Sequence, residues 1–323
     1  MVHYEGIFHD RRWNQTSDME SRMYAKPHEI EEYLKNTNDK PYISCEYCHA
    51  MGNSCGGLSL YTDLEEKYPR YQGGFLWDYI DQAIFKNGQL LYGGDFDDRP
   101  TDWNFCGNGI VYADRTPTPK MQEVKSCYQD IKIFPKKDQV LIKNRFLFTN
   151  LSDFELRWKL SRNGKVIASG KDVVELIPGA DAIFPLPVPT PEKAGEYNLL
   201  VSFHLKCDTI WAQQGHEIAF GQNIFSISEK RTPIKSFEKI KLIPCKSNFG
   251  VQTSRFHALF SKVDGSLISL NVKGKELLKS PVQINFWRAP TDNDIGWDMP
   301  FQLGQWSNAA RYSRFLSMEV TEQ

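Results

Sequence analysis

The chain has 323 residues, of which 41% are hydrophobic and 24% charged, and its formal net charge is −1. These values are typical of a globular protein with about two or three domains. They indicate neither nucleic-acid binding nor a membrane span, and the first residues lack a signal-peptide pattern. Seven cysteines without the spacing of a small disulfide scaffold favour reduced thiols and a cytoplasmic location.

Residues 1–130 alternate short apolar strands with helical patterns. Strands are predicted at residues 43–46 and 73–78, and one helix is predicted to begin at Pro27. Three helices are indicated by residues at helical spacing, namely Ile30, Tyr33, Leu34; Leu58, Tyr61, Leu64, Tyr68; and Met121, Val124, Lys125, Tyr128. This β-α-β-α order predicts a parallel sheet, although it supplies only two or three of the eight βα units of a closed barrel.

From about residue 131 the hydrophobic period changes to two. Alternation is predicted through Ile142, Asn144, Phe146 and Phe148, and again through Tyr197, Leu199, Val201, Phe203 and Leu205. Asn163-Gly164 is typical of a hairpin turn, and prolines at 185, 187, 189 and 191 indicate a surface connection or an edge strand. Residues 131–235 therefore fit one immunoglobulin-like β-sandwich.

A polar linker is predicted at residues 231–237. Beyond it, residues 256–278 show strands separated by Asp264-Gly265 and Lys273-Gly274 turns. We interpret residues 236–323 as the beginning of another β-domain.

Glu46 is the most informative residue, since a short strand ends at this carboxylate and a Gly/Asn/Ser loop follows. In a (β/α)8 barrel, catalytic groups stand where strands end and loops begin. A carboxylate held there can act as a nucleophile or as an acid/base. Taken alone, however, a glutamate at the end of a strand is more often a loop cap or the partner of an arginine.

Residues 43–54 (ISCEYCHAMGNS) resemble the nucleophile segment of the β-galactosidases of glycoside hydrolase family 2. Residues 72–82 (QGGFLWDYIDQ) resemble the last barrel strand of those enzymes, and residues 92–96 (YGGDF) and 104–109 (NFCGNG) the loop after it. Residues 113–117 (ADRTP) lead into the final barrel helix, and residues 286–294 (FWRAPTDND) are similar to the start of the large C-terminal β-domain. The resemblance therefore extends over nearly the whole chain.

The resemblance implies a retaining glycosidase in which Glu46 is the nucleophile. It implies that Tyr24 hydrogen-bonds the Glu46 carboxylate, that His49 contacts sugar hydroxyls and that Trp77 forms the platform for galactose. The alternatives from the residues alone are a core tyrosine, a loop histidine and a core tryptophan.

The resemblance also implies two cations. The main-chain oxygen of Phe105 and the side chain of Asn108 match sodium ligands, and oxygen ligation suits a hard cation. Without the resemblance, Asn108 is a turn residue between two glycines. The magnesium ligands of the family match no position here and are expected upstream of this chain.

Three other clusters are interpreted as structural. Cys45, Cys48, His49 and Cys55 look like a zinc set, but one of them would lie in the strand of the nucleophile. Asp95, Asp97 and Asp98 lack the spacing of a calcium loop and its terminal glutamate. Asp292 and Asp294 are expected to cap a turn.

The expected architecture is the C-terminal part of a (β/α)8 barrel (residues 1–130), then the sandwich, then the first part of a large β-sandwich domain. The family's acid/base glutamate lies just upstream of the segment resembled by residues 3–6 (HYEG), so we expect a fragment that is inactive without the missing N-terminal part and a complete enzyme that is oligomeric. Two alternatives remain at this stage: β-glucuronidase or β-mannosidase specificity, or a non-catalytic sandwich module that binds carbohydrate or completes an assembly.

Overall fold

A computed structural model describes residues 1–229 and 238–321, which form two compact units, one on each side of the gap. The predicted linker at residues 231–237, and with it the boundary at 235/236, lies outside the described residues. Among the described residues, no helix has both the length and the hydropathy needed to cross a membrane.

The parallel-sheet region (residues 1–130) contains a three-stranded parallel sheet in the order β1-β2-β3. Its elements are β1 Glu20–Met23, α1 Pro27–Asn36, β2 Tyr42–Tyr47, α2 Ser59–Lys67, β3 Tyr71–Leu76, β4 Ile84–Lys86, β5 Gln89–Leu91 and α3 Lys120–Tyr128. The three predicted helices and both predicted strands are confirmed, although β3 ends two residues earlier than predicted. The helices cover the sheet through a tyrosine-rich core that includes Tyr42, Tyr47, Tyr61 and Tyr71.

Strand β1 carries no apolar alternation, and the sequence did not predict it. Its first residue, Glu20, is only 2% exposed, and its carboxylate accepts hydrogen bonds from Arg11 at 2.7 and 2.8 Å and from Arg22 at 2.7 Å. Burial raises the pKa of Glu20, but the two arginines outweigh burial and hold the pKa below its usual value. A paired buried carboxylate thus replaces the apolar residue that strand prediction relies on.

The sandwich (residues 131–229) consists of two antiparallel sheets that share one hydrophobic core. Its strands are β6 Ile131–Lys136, β7 Gln139–Asn144, β8 Phe154–Arg162, β9 Lys165–Asp172, β10 Asp181–Pro185, β11 Gly195–Leu205 and β12 Glu217–Ile227. One sheet has the order β10-β7-β6 and the other β12-β11-β8-β9. The predicted alternation along β11 is confirmed, because all five of its predicted inward residues are buried.

In the sandwich, one predicted turn and one predicted edge strand are confirmed, and one strand prediction is wrong. Asn163 and Gly164 connect β8 to β9 with φ of 48° and 77°, and Pro185 ends the edge strand β10. Phe146 and Phe148, in contrast, lie beyond the end of β7, and Phe148 is 92% exposed. The strand stops because the buried Asn144 side chain accepts from Phe146 N at 3.0 Å and donates to the main-chain oxygens of Thr149 and Leu176.

The second unit begins with a five-stranded antiparallel sheet whose strands follow chain order. Its elements are β13 Lys241–Pro244, β14 Asn248–Gln252, β15 Phe256–Ser261, β16 Leu267–Val272, β17 Lys275–Glu276, α4 Asp292–Gly296, α5 Met299–Gln302 and α6 Gln305–Tyr312. The Lys273-Gly274 turn joins β16 to β17, as predicted. Asp294 caps α4 in a capping box with Thr291 and pairs with Arg288, which confirms its predicted structural role.

Candidate active site

Glu46 lies near the carboxyl end of β2, the central strand of the parallel sheet, and its side chain is half-buried. Strand register aligns Met23 of β1 with Glu46, and Leu76 of β3 with Tyr47. Tyr24 directly follows β1 and Trp77 directly follows β3. Three predicted site residues therefore stand at the adjoining carboxyl ends of three parallel strands, where ligands bind in open and closed α/β sheets.

Tyr24 is joined to Glu46 through the main chain, and the Glu46 carboxylate also perturbs its phenol. Tyr24 N donates to Glu46 O at 2.8 Å, and Tyr24 has a φ of 53°. Burial, and then the neighbouring Glu46 carboxylate, raise the pKa of Tyr24 well above its usual range. The phenol therefore remains a neutral donor at any physiological pH and can hold the carboxylate in one orientation.

His49 lies between two aromatic rings. Its imidazole packs edge-to-face on Tyr24, with ring centroids 5.8 Å apart, and stacks on Phe105 at 5.5 Å. The structure thus brings the predicted histidine beside Tyr24 and beside the loop predicted to bind sodium.

Trp77 is half-buried and is held through its main chain. Trp77 N donates to Tyr47 O at 3.1 Å, and Trp77 O accepts from Ala50 N at 2.6 Å. The end of β3 is therefore hydrogen-bonded to the segment that follows Glu46, which fixes the spacing between the two strand ends.

Asn108 is 3% exposed, and its amide lies against the predicted second ligand. Asn108 Nδ2 donates to the main-chain oxygen of Phe105 at 3.1 Å, while Asn108 Oδ1 is buried and has no hydrogen-bond partner in the described part of the chain. A buried acceptor without a donor costs about 1–3 kcal/mol. A hard cation bound by oxygen atoms would remove that cost, so these two residues fit the predicted sodium site.

The loop that carries Asn108 is fixed to the end of β3. Asp78 N donates to Asn108 O at 2.7 Å, and Ile110 N donates to Asp78 O at 2.9 Å. Gly109 allows this approach, because a Cβ there would lie 2.2 Å from the main-chain nitrogen of Asp81. Asp78 was not among the predicted site residues, yet its charge contributes to the raised pKa of Tyr24.

The cysteines near Glu46 are held as thiols. Burial raises the pKa of Cys48 to about 12, and it also raises the pKa values of Cys45 and Cys55. Among the described residues, no three Cys, His, Asp or Glu side chains converge where they could hold a metal ion.

Three known protein families match successive parts of the chain and together cover most of it. Residues 1–133 match the family described as glycosyl hydrolases family 2, TIM barrel domain. Residues 140–226 match β-galactosidase, domain 4, and residues 252–323 match β-galactosidase small chain. The order of the three matches is the order of the regions described above.

Individual relatives agree with these family matches. A β-galactosidase of Halalkalibacterium halodurans is 48% identical over 100% of this chain and 32% of the relative, and one of Clostridium acetobutylicum is 45% identical over 100% and 36%. The chain thus spans about a third of the length of these relatives. A solved calcium binding mutant of Bacteroides uniformis β-glucuronidase 2 aligns over 68% of this chain and 27% of the other. The TM-score is 0.26 and the sequence identity is 18%, so this likeness assigns neither fold nor function.

Proposed function

Because the chain belongs to glycoside hydrolase family 2, we propose that it supplies the nucleophile side of the active site of a retaining β-galactosidase. The observation that carries the proposal is the placement of Tyr24, Glu46 and Trp77 at adjoining strand ends, with Tyr24 N donating to Glu46 O at 2.8 Å. The substrate is a β-galactoside with a terminal non-reducing galactose.

In the proposed reaction, a Glu46 carboxylate oxygen attacks the anomeric carbon and the glycosidic bond breaks. A general acid protonates the departing oxygen, and the same group then deprotonates the water that hydrolyses the galactosyl ester of Glu46. Tyr24 holds the attacking oxygen in line. His49 donates to sugar hydroxyls, and Trp77 packs on the apolar face of galactose.

Retention of configuration requires a second carboxyl group about 5–5.5 Å from the nucleophile. We propose that this acid/base glutamate belongs to the part of the enzyme that the relatives carry beyond the matched segment. The proposed partner of the chain is therefore that remaining part. We use 'assembled enzyme' for the chain combined with that remaining part. We propose that the assembled enzyme is oligomeric and cytoplasmic.

The finer domain assignments rest on the same premise. We propose that residues 1–130 are the C-terminal part of a (β/α)8 barrel, that residues 131–235 form an immunoglobulin-like sandwich and that residues 236–323 begin the large C-terminal β-sandwich domain. The parallel order β1-β2-β3 and the two-sheet core of the sandwich support the first two assignments.

We further propose that sodium binds to the Phe105 main-chain oxygen and to Asn108, beside His49. Bound there, the cation supplies a fixed positive charge at the edge of the sugar site. We propose that the magnesium ion of the assembled enzyme takes its ligands from the part that the relatives carry beyond the matched segment.

The proposal is tested with a panel of aryl β-glycosides. The assembled enzyme is expected to hydrolyse the galactoside in preference to the glucuronide and the mannoside, whereas the chain alone should show no measurable turnover because it lacks a positioned acid. Preference for another sugar would overturn the specificity. Carbohydrate binding that survives deletion of residues 1–130, without hydrolysis by the assembled enzyme, would indicate a non-catalytic sandwich module instead.

A further inference from the structure

Lys120, in the first turn of α3, contacts a segment about seventy residues earlier in the chain. Its ammonium group donates to the main-chain oxygen of Ala50 at 2.6 Å and to that of Gly52 at 3.0 Å. Hydrogen bonds from a charged donor are about twice as strong as neutral ones. This side chain therefore ties α3 firmly to the loop that follows the nucleophile strand.

The two carbonyl groups belong to a turn, residues 50–52, that begins directly after His49. Within this turn, Ala50 is fully buried and its N donates to Trp77 O at 2.6 Å. Gly52 has a φ of 53°, and its N donates to Gly107 O at 3.3 Å. The turn thus links, through the main chain, the three segments that carry His49, Trp77 and Asn108.

Helix α3 is in turn held by the sandwich. Lys125 pairs with Glu217 of β12 at 2.8 Å. Gln129, just past the end of the helix, donates to the main-chain oxygen of Phe220 and accepts from its nitrogen, both at 3.0 Å. The position of Lys120 is therefore set by a helix whose far end is fixed to another β-sheet.

We propose that Lys120 is a positioning residue that sets the affinity for the sugar by holding the turn at residues 50–52. This inference rests on the proposed function. Lys120 does not touch the reacting atoms in this account. It acts through the main chain on His49, Trp77 and the loop of Asn108, while the contact between Tyr24 and Glu46 is made independently of it.

The test compares Lys120→Met with Lys40→Met in the assembled enzyme. Lys40 is a matched control, because its ammonium also binds two main-chain oxygens, those of Asn14 and Ser17, in a segment that is not hydrogen-bonded to this turn. Lys120→Met removes both hydrogen bonds to the turn and is expected to raise KM for an aryl galactoside about tenfold, with kcat changed less than about threefold. Lys120→Arg should restore most of the affinity, because a guanidinium can also donate to two oxygens.

The outcomes separate this inference from the proposed function. If the unmodified assembled enzyme hydrolyses the galactoside and Lys120→Met matches Lys40→Met in KM, the positioning role is wrong and the proposed function stands. Equal losses of kcat and kcat/KM in Lys120→Met would also overturn it, since that pattern indicates an interaction made only in the transition state. If the unmodified enzyme hydrolyses no galactoside, the proposed function fails first.

Discussion

The parallel-sheet region and the sandwich use different interiors, although they belong to the same compact unit. The sandwich buries a continuous aliphatic and aromatic core that includes Ile142, Leu156, Val201 and Phe203, all fully buried. The parallel-sheet region buries hydroxyl, carboxylate and amide groups among its tyrosines, namely Ser17, Glu20, Ser21, Ser44, Asn108 and Thr118. Polar groups are concentrated in the region that carries Glu46.

The difference indicates a division of labour. An apolar core stabilises by area removed from water and tolerates changes of partner, whereas a buried polar group must keep its specific partner. The parallel sheet also has two unpaired edges, at β1 and β3, in the described part of the chain. We therefore expect the sandwich to be the more stable region and the parallel-sheet region to be the more sensitive one.

The largest expected effect is on catalysis. In the assembled enzyme, Glu46→Gln should lower turnover of an aryl galactoside by about 10⁴-fold or more, because an amide cannot form the glycosyl ester. The melting temperature should hardly change, since the side chain keeps its size. The control is Glu32→Gln, a change on the exposed face of α1 that should alter neither quantity. Residual turnover above a few per cent in Glu46→Gln would contradict the assignment.

The sandwich is tested by removing core volume. Phe203→Ala, at a fully buried position of β11, should lower the free energy of unfolding of the sandwich by about 3–5 kcal/mol. Hydrogen exchange of β11 peptides under mild urea measures this loss. Phe148→Ala, at a 92% exposed position, should change it by less than about 0.5 kcal/mol. Equal effects at the two positions would remove the distinction between core and surface on which the comparison depends.

The parallel-sheet region is tested by removing the buried carboxylate of its ion pairs. Glu20→Ala removes the carboxylate that Arg11 and Arg22 share and should destabilise β1 by about 1–3 kcal/mol, because both arginines keep some contact with solvent. Hydrogen exchange in residues 1–50 should rise, while exchange in β11 stays constant. Loss of protection in both regions together would show that they unfold as one unit.

The same carboxylate predicts a dependence on pH. Because the pKa of Glu20 is held below its usual value, its contribution to stability is complete above the ordinary carboxylate pKa and is lost as pH falls through the lowered value. Glu20→Gln should therefore flatten the acid limb of stability for residues 1–50. If Glu20→Gln instead lowers the stability by the same amount at every pH, the loss of stability in acid belongs to other groups.

The smallest expected effect concerns sodium. Sodium at ten times its Kd should stabilise the loop of Asn108 by about 1.4 kcal/mol. The effect is measured as the difference in melting temperature between a sodium salt and the salt of a larger cation. Asn108→Ala should abolish that shift, and Asn104→Ala, an exposed neighbour, should retain it. A shift that persists in Asn108→Ala would place the cation elsewhere.

Sequence patterns predicted the elements that bury apolar side chains. The spacing of apolar residues, two along β11 and three to four along α1, is enough to identify their buried faces. Strand β1 escaped prediction because Glu20 is buried through charge pairing, and Phe146 was misplaced because the Asn144 side chain ends β7. Lys120 gave no signal either, since a lysine in the first turn of a helix is usually a solvated residue and its contact is made with a distant segment.

Part of the site was predicted and part was not. The strand-end position of Glu46 followed from residue types, but Tyr24, His49 and Trp77 were singled out by resemblance. Their proximity depends on the register of β1, β2 and β3, which no local pattern specifies. The buried, unpaired oxygen of Asn108 likewise becomes visible only once the loop after β3 is folded.

The most direct test of the central claim is covalent trapping. The assembled enzyme is incubated with a 2-fluoro galactoside bearing a good leaving group, digested and mapped by mass spectrometry. We predict one galactosyl adduct, on Glu46, which is absent from Glu46→Gln. An adduct on any other carboxylate, Asp78 included, would contradict the assignment of Glu46 as the nucleophile.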